Sequence, residues 1–286
     1  MARNWHEERA NVPHADHSGQ ARTLSGGQNG EILRFEKPEF QTLEPGGYIE
    51  TATAADILLS IDLIRAIEGS ALTMIAGAPG VGKTRTLRHY CEAMGDKAVY
   101  HTVARGEGNP YNLATVLLGK REFAQRGNDL TTARQFIAGG MGQGRLLVID
   151  EAQYLDQKHK KTSERGMGFE WLRALAEEGD FDLVFCGDLT LALMIEAFPQ
   201  LQSRMRRPVI IKAVSKVDVA AMASCFGLDS TETITALYHV ARHRGGLRNV
   251  ENVLRMAVLF AGGGKPDGGH LLSAIMDLNL EPKGAN

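Results

Sequence analysis

Residues 77–84 read Gly-Ala-Pro-Gly-Val-Gly-Lys-Thr, a G-x-x-x-x-G-K-[ST] pattern, and they follow the apolar run 71–76 directly. No other stretch restricts the fold so tightly. A buried strand, a glycine turn and a helix must come in succession for backbone N–H groups to converge on phosphate oxygens. Residues 85–93 supply the helix, with Leu87, Tyr90 and Cys91 on one face. Gly77, Ala78, Pro79, Gly80, Val81 and Gly82 are therefore expected to wrap a nucleoside triphosphate. Lys83 sits beside its β and γ phosphates as both a binding and a catalytic residue, and the Thr84 hydroxyl suits Mg²⁺.

A second apolar run, residues 145–151, ends in Asp150 and Glu151. In a phosphate-loop protein such a strand, lying beside the first, delivers an acid to the magnesium shell. Asp150 is the metal-side carboxylate, together with Thr84. Glu151, one residue beyond the strand, is expected to orient or deprotonate the attacking water, a role that contributes roughly 10²–10⁴ in rate. A third such run, residues 181–188, closes on Asp188, where ATPases of this kind keep a side chain that senses the γ phosphate.

Strands are also expected at residues 98–103 and 208–213, and helices at 51–68, 110–124 and 131–137, with a Gly-rich loop at 139–144. The first helix carries Ile57, Leu58, Ile61, Leu63, Ile64 and Ile67 on a broad apolar face, with Gly69 as its stop. Alternating strands and helices with short connections predict an α/β fold, a five-stranded parallel sheet between helices. Beyond Lys216 the periodicity is helical only, which predicts a small C-terminal lid. The expected organisation is a polar, disordered arm over residues 1–45, an ATPase core over 46–214, and the lid with its tail over 215–286. Scattered histidines in the arm, His6, His14 and His17, read as solvated.

A net charge of −2 over 286 residues excludes a general coat of positive charge, so nucleic-acid contact must come from local clusters. The dense cluster is Lys158-His159-Lys160-Lys161, with Arg105 and Lys120 as further candidates. Cys91, Cys186 and Cys225 stand alone, with no disulfide framework or zinc spacing, as in a reducing cytoplasm. No apolar stretch reaches the roughly 18 residues of a membrane span, and no signal peptide is visible. The expected location is the cytoplasm of a bacterium or of a phage-infected host.

With Gln202-Ser203-Arg204-Met205-Arg206-Arg207 before the last strand and Gly245-Gly246-Leu247-Arg248-Asn249 opening a lid helix, the chain resembles the AAA+ ATPases. The resemblance implies an arginine finger acting on a neighbouring subunit's nucleotide, with Arg204 the first choice and Arg206 next, and a lid sensor at Arg248. Fingers of this kind contribute on the order of 10³–10⁵ in turnover. Within that superfamily the chain is similar to the DNA-transposition ATPases, the Mu-type transposition protein B family with its TnsC and TniB relatives. Residues 48–51 (Tyr-Ile-Glu-Thr), 146–153 (Leu-Leu-Val-Ile-Asp-Glu-Ala-Gln) and 200–204 (Gln-Leu-Gln-Ser-Arg) carry the likeness. It implies ATP and Mg²⁺ as cofactors, with Tyr48, Ile49 and Arg85 joining the nucleotide site. It also implies ATP-dependent assembly of the chain with itself into a ring or helical filament on double-stranded DNA without sequence preference, and recruitment and activation of a transposase at the selected target. Lys158, Lys160 and Lys161 would then face the assembly axis. Where such relatives commonly carry Asn as first sensor, this chain has Asp188.

Two other functions use the same nucleotide residues: a secretion-associated ATPase of the ExeA type and a helicase loader. A nucleotide-binding structural protein that hardly hydrolyses would not need Glu151 or the arginines.

Overall fold

Strand β1 (Leu72–Gly77) is buried along its whole length and lies between β4 (Asp182–Gly187) and β5 (Val209–Ile211). The computed structural model describes residues 47–156 and 165–281. Beyond β4 come β3 (Leu146–Asp150) and β2 (Ala98–Thr102), so the sheet runs β2-β3-β4-β1-β5, and every pairing is parallel. Nearly unbroken apolar strands suit a sheet covered on both faces, and helices cover both here.

On one face Leu72, Met74, Leu147, Ile149, Leu183 and Phe185 pack beneath α3 (Pro110–Leu118), α5 (Leu130–Met141), α6 (Met167–Gly179) and α7 (Thr190–Glu196). On the other, Ile75, Leu146, Val148, Val184 and Cys186 pack against α1 (Ala52–Arg65) and α2 (Lys83–Met94). The alternation along each strand divides the two cores. Cys91 and Cys186 are both buried free thiols.

The last four helices, α9 (Lys216–Ser224), α10 (Thr231–Ala241), α11 (Leu247–Phe260) and α12 (Gly268–Asp277), gather round a separate cluster that includes Val219, Leu237, Val253, Leu254 and Ile275. The lid is tied to the core by a buried carboxylate. Asp218, fully buried, accepts the Thr53 N–H at 3.0 Å and the Thr53 hydroxyl at 2.6 Å. The α/β sandwich with five parallel strands and a helical lid is thus the one expected.

Details depart from expectation. The acid-bearing strand does not lie beside the first: β4 is inserted between β1 and β3. The predicted helix over 110–124 breaks at Gly119, whose φ of 86° ends α3 before α4 (Lys120–Gln125) begins. Gly139 and Gly140 belong to α5 and not to a loop, since the helix runs on until Gly142 turns left-handed. Helix α1 stops at Arg65, and Leu63 and Ile67 are exposed, because only the narrow stripe Ala54-Ile57-Ile61-Ile64 meets the sheet. The arm, its histidines and Lys158, Lys160 and Lys161 lie outside the described residues.

Candidate functional site

The loop after β1 is fixed at both ends. Its Ala78 N–H donates to the Ile211 carbonyl of β5 at 2.9 Å, and Val81 is buried. Gly80 has φ +78°, and a Cβ there would stand 1.9 Å from the Gly245 carbonyl oxygen, so only glycine fits. Helix α2 starts after Gly82 without a side-chain cap, which leaves its first-turn N–H groups available to an anion. The Lys83 ammonium donates to the Gly77 and Ala78 carbonyls at 2.7 and 3.0 Å. It is thus held on the loop, and an incoming phosphate competes with two neutral oxygens for it.

A cavity of about 490 Å³ opens over this loop, lined by Gly80, Gly82, Lys83, Thr84 and Arg85, by Tyr48, Ile49 and His89, and by Leu247, Arg248 and Glu251 of the lid. Tyr48 and His89 stack with ring centroids 3.8 Å apart. Arg85 bridges to Glu251 at 2.8 Å and donates to the Gly47 carbonyl at 2.6 Å, so it joins core helix, lid helix and entering chain. Arg85 and its neighbour Arg255 hold the Glu251 carboxyl below its ordinary range against the opposing effect of burial. Arg248 is exposed on the cavity wall, with no side-chain hydrogen bond or ion pair among the described residues.

The acids lie at the end of β3. Thr84 donates its hydroxyl to Asp150 at 2.7 Å, and the Tyr100 hydroxyl of β2 donates to the same oxygen. Burial first, and then the hydrogen bond it donates to Asp150, push the Tyr100 hydroxyl up to about 12, so it stays a donor at any physiological pH. Thr84 and Asp150 thus place a hydroxyl and a carboxylate oxygen side by side, donor chemistry that suits a hard divalent cation. No cluster of three or more His, Cys, Asp or Glu that could hold a metal ion occurs among the described residues.

Glu151 leaves the strand in the left-handed conformation, φ 57° and ψ 36°. Its Oε2 accepts the Gln153 side-chain amide at 2.5 Å, and the same amide's oxygen accepts the Asp188 N–H at 3.3 Å. The Asp188 carboxylate is turned to Thr190, accepting its N–H at 2.9 Å and its hydroxyl at 2.5 Å. Asp188 thus stands at the expected end of β4, with its carboxylate capping the start of α7.

Sequence reasoning missed Tyr100, Gln153, His89 and Glu251. Tyr100 reaches Asp150 from another strand, whereas Gln153 stands two residues beyond Glu151, where only the Asp-Glu-Ala-Gln wording hinted at it.

Arg204, at the end of α8 (Pro199–Arg204), pairs with Glu177 of α6 and does not line the cavity. Arg206 is exposed and has no side-chain partner among the described residues. Arg207 is structural: its guanidinium holds Asp56, and its carbonyl accepts the Ser60 hydroxyl at 2.7 Å. Arg105 is exposed in the turn after β2, and Lys120 opens α4. No helix among the described residues is long and apolar enough to cross a membrane.

Residues 65–195 match the family model described as an AAA domain, and residues 203–278 match that of the Mu B transposition protein, C terminal. Over 250 residues the chain is 27% identical to the ATP-dependent target DNA activator B of Escherichia phage Mu, covering 83% of this chain and 75% of that protein. It is 24% identical over 220 residues to the Mu-like prophage FluMu DNA transposition protein B of Haemophilus influenzae, covering 72% and 71%. Among solved structures, the ORC2 protein of Aeropyrum pernix in its ADPNP–ADP complexes superposes with a TM-score of 0.54 at 17% identity, covering 82% of this chain and 67% of that one. The ORC1 protein of the same organism in complex with DNA gives 0.55 at 17%, covering 80% and 66%. At that identity the likeness is one of fold.

Proposed function

We propose that this chain is an AAA+ ATPase of the Mu transposition B type, that it acts in ATP-dependent regulation of transposition, and that it divides the work among its residues as follows. ATP with Mg²⁺ occupies the cavity over residues 77–84. Lys83 exchanges its two loop carbonyls for phosphate oxygens, and Thr84 and Asp150 hold the ion, which neutralises charge on the phosphates. Tyr48 and Ile49 line the base end. Glu151 takes up the proton of the attacking water, and Asp188 closes the site at the end of β4. The observation that carries the reading is the Thr84–Asp150 hydrogen bond of 2.7 Å, which joins phosphate loop to acid strand with Glu151 one residue on.

Arg204 or Arg206 serves the nucleotide of the next subunit in an ATP-dependent oligomer. Their distance from the chain's own cavity supports action in trans. Arg248 senses the γ phosphate from the lid, closing residues 215–286 on the core of 46–214. The oligomer binds duplex DNA through phosphates, with Lys158, Lys160 and Lys161 at its axis and Arg105 and Lys120 beside them, and it recruits a transposase. The Mu B match over residues 203–278 favours this reading over a secretion ATPase or helicase loader. A cytoplasmic site of action follows.

Titration of unrelated duplexes with the ATP-bound protein at several salt concentrations tests it. Affinity should be similar across sequences, and replacing all three lysines with Ala should flatten log affinity against log salt, each lost phosphate contact removing roughly 0.9 from the slope. ATP binding should survive. No duplex binding in the ATP state at low salt would refute the DNA role, and an unchanged slope would move the contact surface away from this run.

A further inference from the structure

We propose that Gln153 is a positioning residue for hydrolysis, a carboxamide clamp that fixes the Glu151 carboxylate against the end of β4. The inference rests on the reading of Glu151 as the water-activating base.

Glu151 sits at φ 57°, past the last residue of β3, so the strand's alternation no longer aims its side chain. Something else must. The turn Ala152–Leu155 carries Gln153 back to the sheet, where its Nε2 meets Glu151 Oε2 at 2.5 Å and its Oε1 meets the Asp188 N–H at 3.3 Å. An ionised carboxylate only accepts, and a peptide N–H only donates. The carboxamide therefore bridges them in one orientation alone, and neither an apolar nor an anionic side chain replaces it. Space is reserved for it: a Cβ on Gly187 would stand 2.4 Å from Gln153 Oε1, so any larger residue at the β4 end expels the clamp. Glu151 Oε1 makes no hydrogen bond among the described residues, which leaves it to the water. The far end of the clamp is the peptide preceding the Asp188 side chain, so acid and expected sensor share one hydrogen-bonded unit.

Steady-state ATPase assays on the full chain test this, with nucleotide affinity and thermal unfolding measured in parallel. Gln153→Ala should lower kcat roughly 10- to 100-fold, the range for losing a hydrogen bond to a charged group, and leave KM and ATP affinity within about twofold. Gln153→Glu replaces the donating amide by a side chain that only accepts when ionised, so at neutral pH it should lower kcat at least as far as Gln153→Ala, again with ATP affinity kept. Adding Gln153→Ala to Glu151→Gln should cost less than about twofold beyond Glu151→Gln, because the clamp acts through the acid.

Unchanged kcat in Gln153→Ala, multiplicative losses in the double variant, or a parallel loss of ATP affinity would each overturn the proposal while Glu151→Gln still stalls. If Glu151→Gln hydrolyses normally, the base assignment itself falls and the clamp with it.

Discussion

The backbone N–H of Leu247, first residue of lid helix α11, donates to the Gly80 carbonyl of the phosphate loop at 2.8 Å. Glycines make the approach possible on both sides, since a Cβ on Gly246 would stand 2.7 Å from the Gly80 oxygen. The lid thus rests on the loop after β1, and the Arg85–Glu251 ion pair joins α2, the helix that follows this loop, to α11.

Replacing Gly80 with Ala tests this contact. The new methyl collides with the Gly245 carbonyl in a backbone region L residues avoid, a strain on the order of 1–3 kcal/mol. ATP affinity should fall about tenfold or more, measured by calorimetric titration, while the circular dichroism spectrum stays that of a folded protein.

Lys83→Ala and Glu151→Gln should separate binding from chemistry. In the proposed division of work the lysine holds ground-state phosphate and the glutamate acts on water. Lys83→Ala should abolish tight ATP binding, whereas Glu151→Gln should bind normally and turn over roughly 10²–10⁴ times more slowly. Equal loss of affinity in both variants would contradict the assigned roles.

These residues were legible because contiguous sequence encodes them. The phosphate loop needs its glycines, lysine and threonine in fixed succession, and an apolar strand closing on Asp150-Glu151 has few other uses beside it. What stayed hidden depends on long-range contact. Tyr100 meets Asp150 from 50 residues away and the Asp188 N–H meets Gln153 across 35, and no local period reports either. Nor does periodicity reveal that β4 inserts between β1 and β3. Leu63 and Ile67 fit the helical face of α1 yet remain exposed, because the apolar stripe is wider than the sheet surface available to it.

A finger in trans makes a mixing experiment decisive. Arg204→Ala and Glu151→Gln proteins should each be impaired, whereas a mixed oligomer would contain interfaces that pair an intact arginine with an intact acid. Part of the ATPase activity should return on mixing, with a maximum at an intermediate ratio. No recovery at any ratio, with co-assembly verified, would place the arginine's role elsewhere; the Arg204–Glu177 pair would then be structural.

Stability should depend on pH through Asp182, at the start of β4. Burial raises its carboxyl from the ordinary 3.8 to about 6, against the lowering effect of the Ala71 N–H it accepts at 3.1 Å. A group whose folded pKa lies above its unfolded one favours the fold while protonated. Its contribution is fully present below about 4 and is lost as pH rises through about 6. Asp182→Asn, which stays neutral and can still accept from Ala71, should therefore unfold at a higher temperature than the unaltered protein at pH near 8. The difference should shrink toward zero at pH near 4, and a difference independent of pH would exclude the titration.

The central claim, that bound ATP turns this chain into an oligomer on duplex DNA, is tested most directly by electron microscopy of Glu151→Gln protein with ATP, Mg²⁺ and duplex. The stalled site should hold ordered rings or helical filaments on the DNA. These should be absent with ADP, without nucleotide, and with Lys83→Ala protein. Single subunits alone on the grid, with ATP occupancy and duplex both verified, would contradict the account.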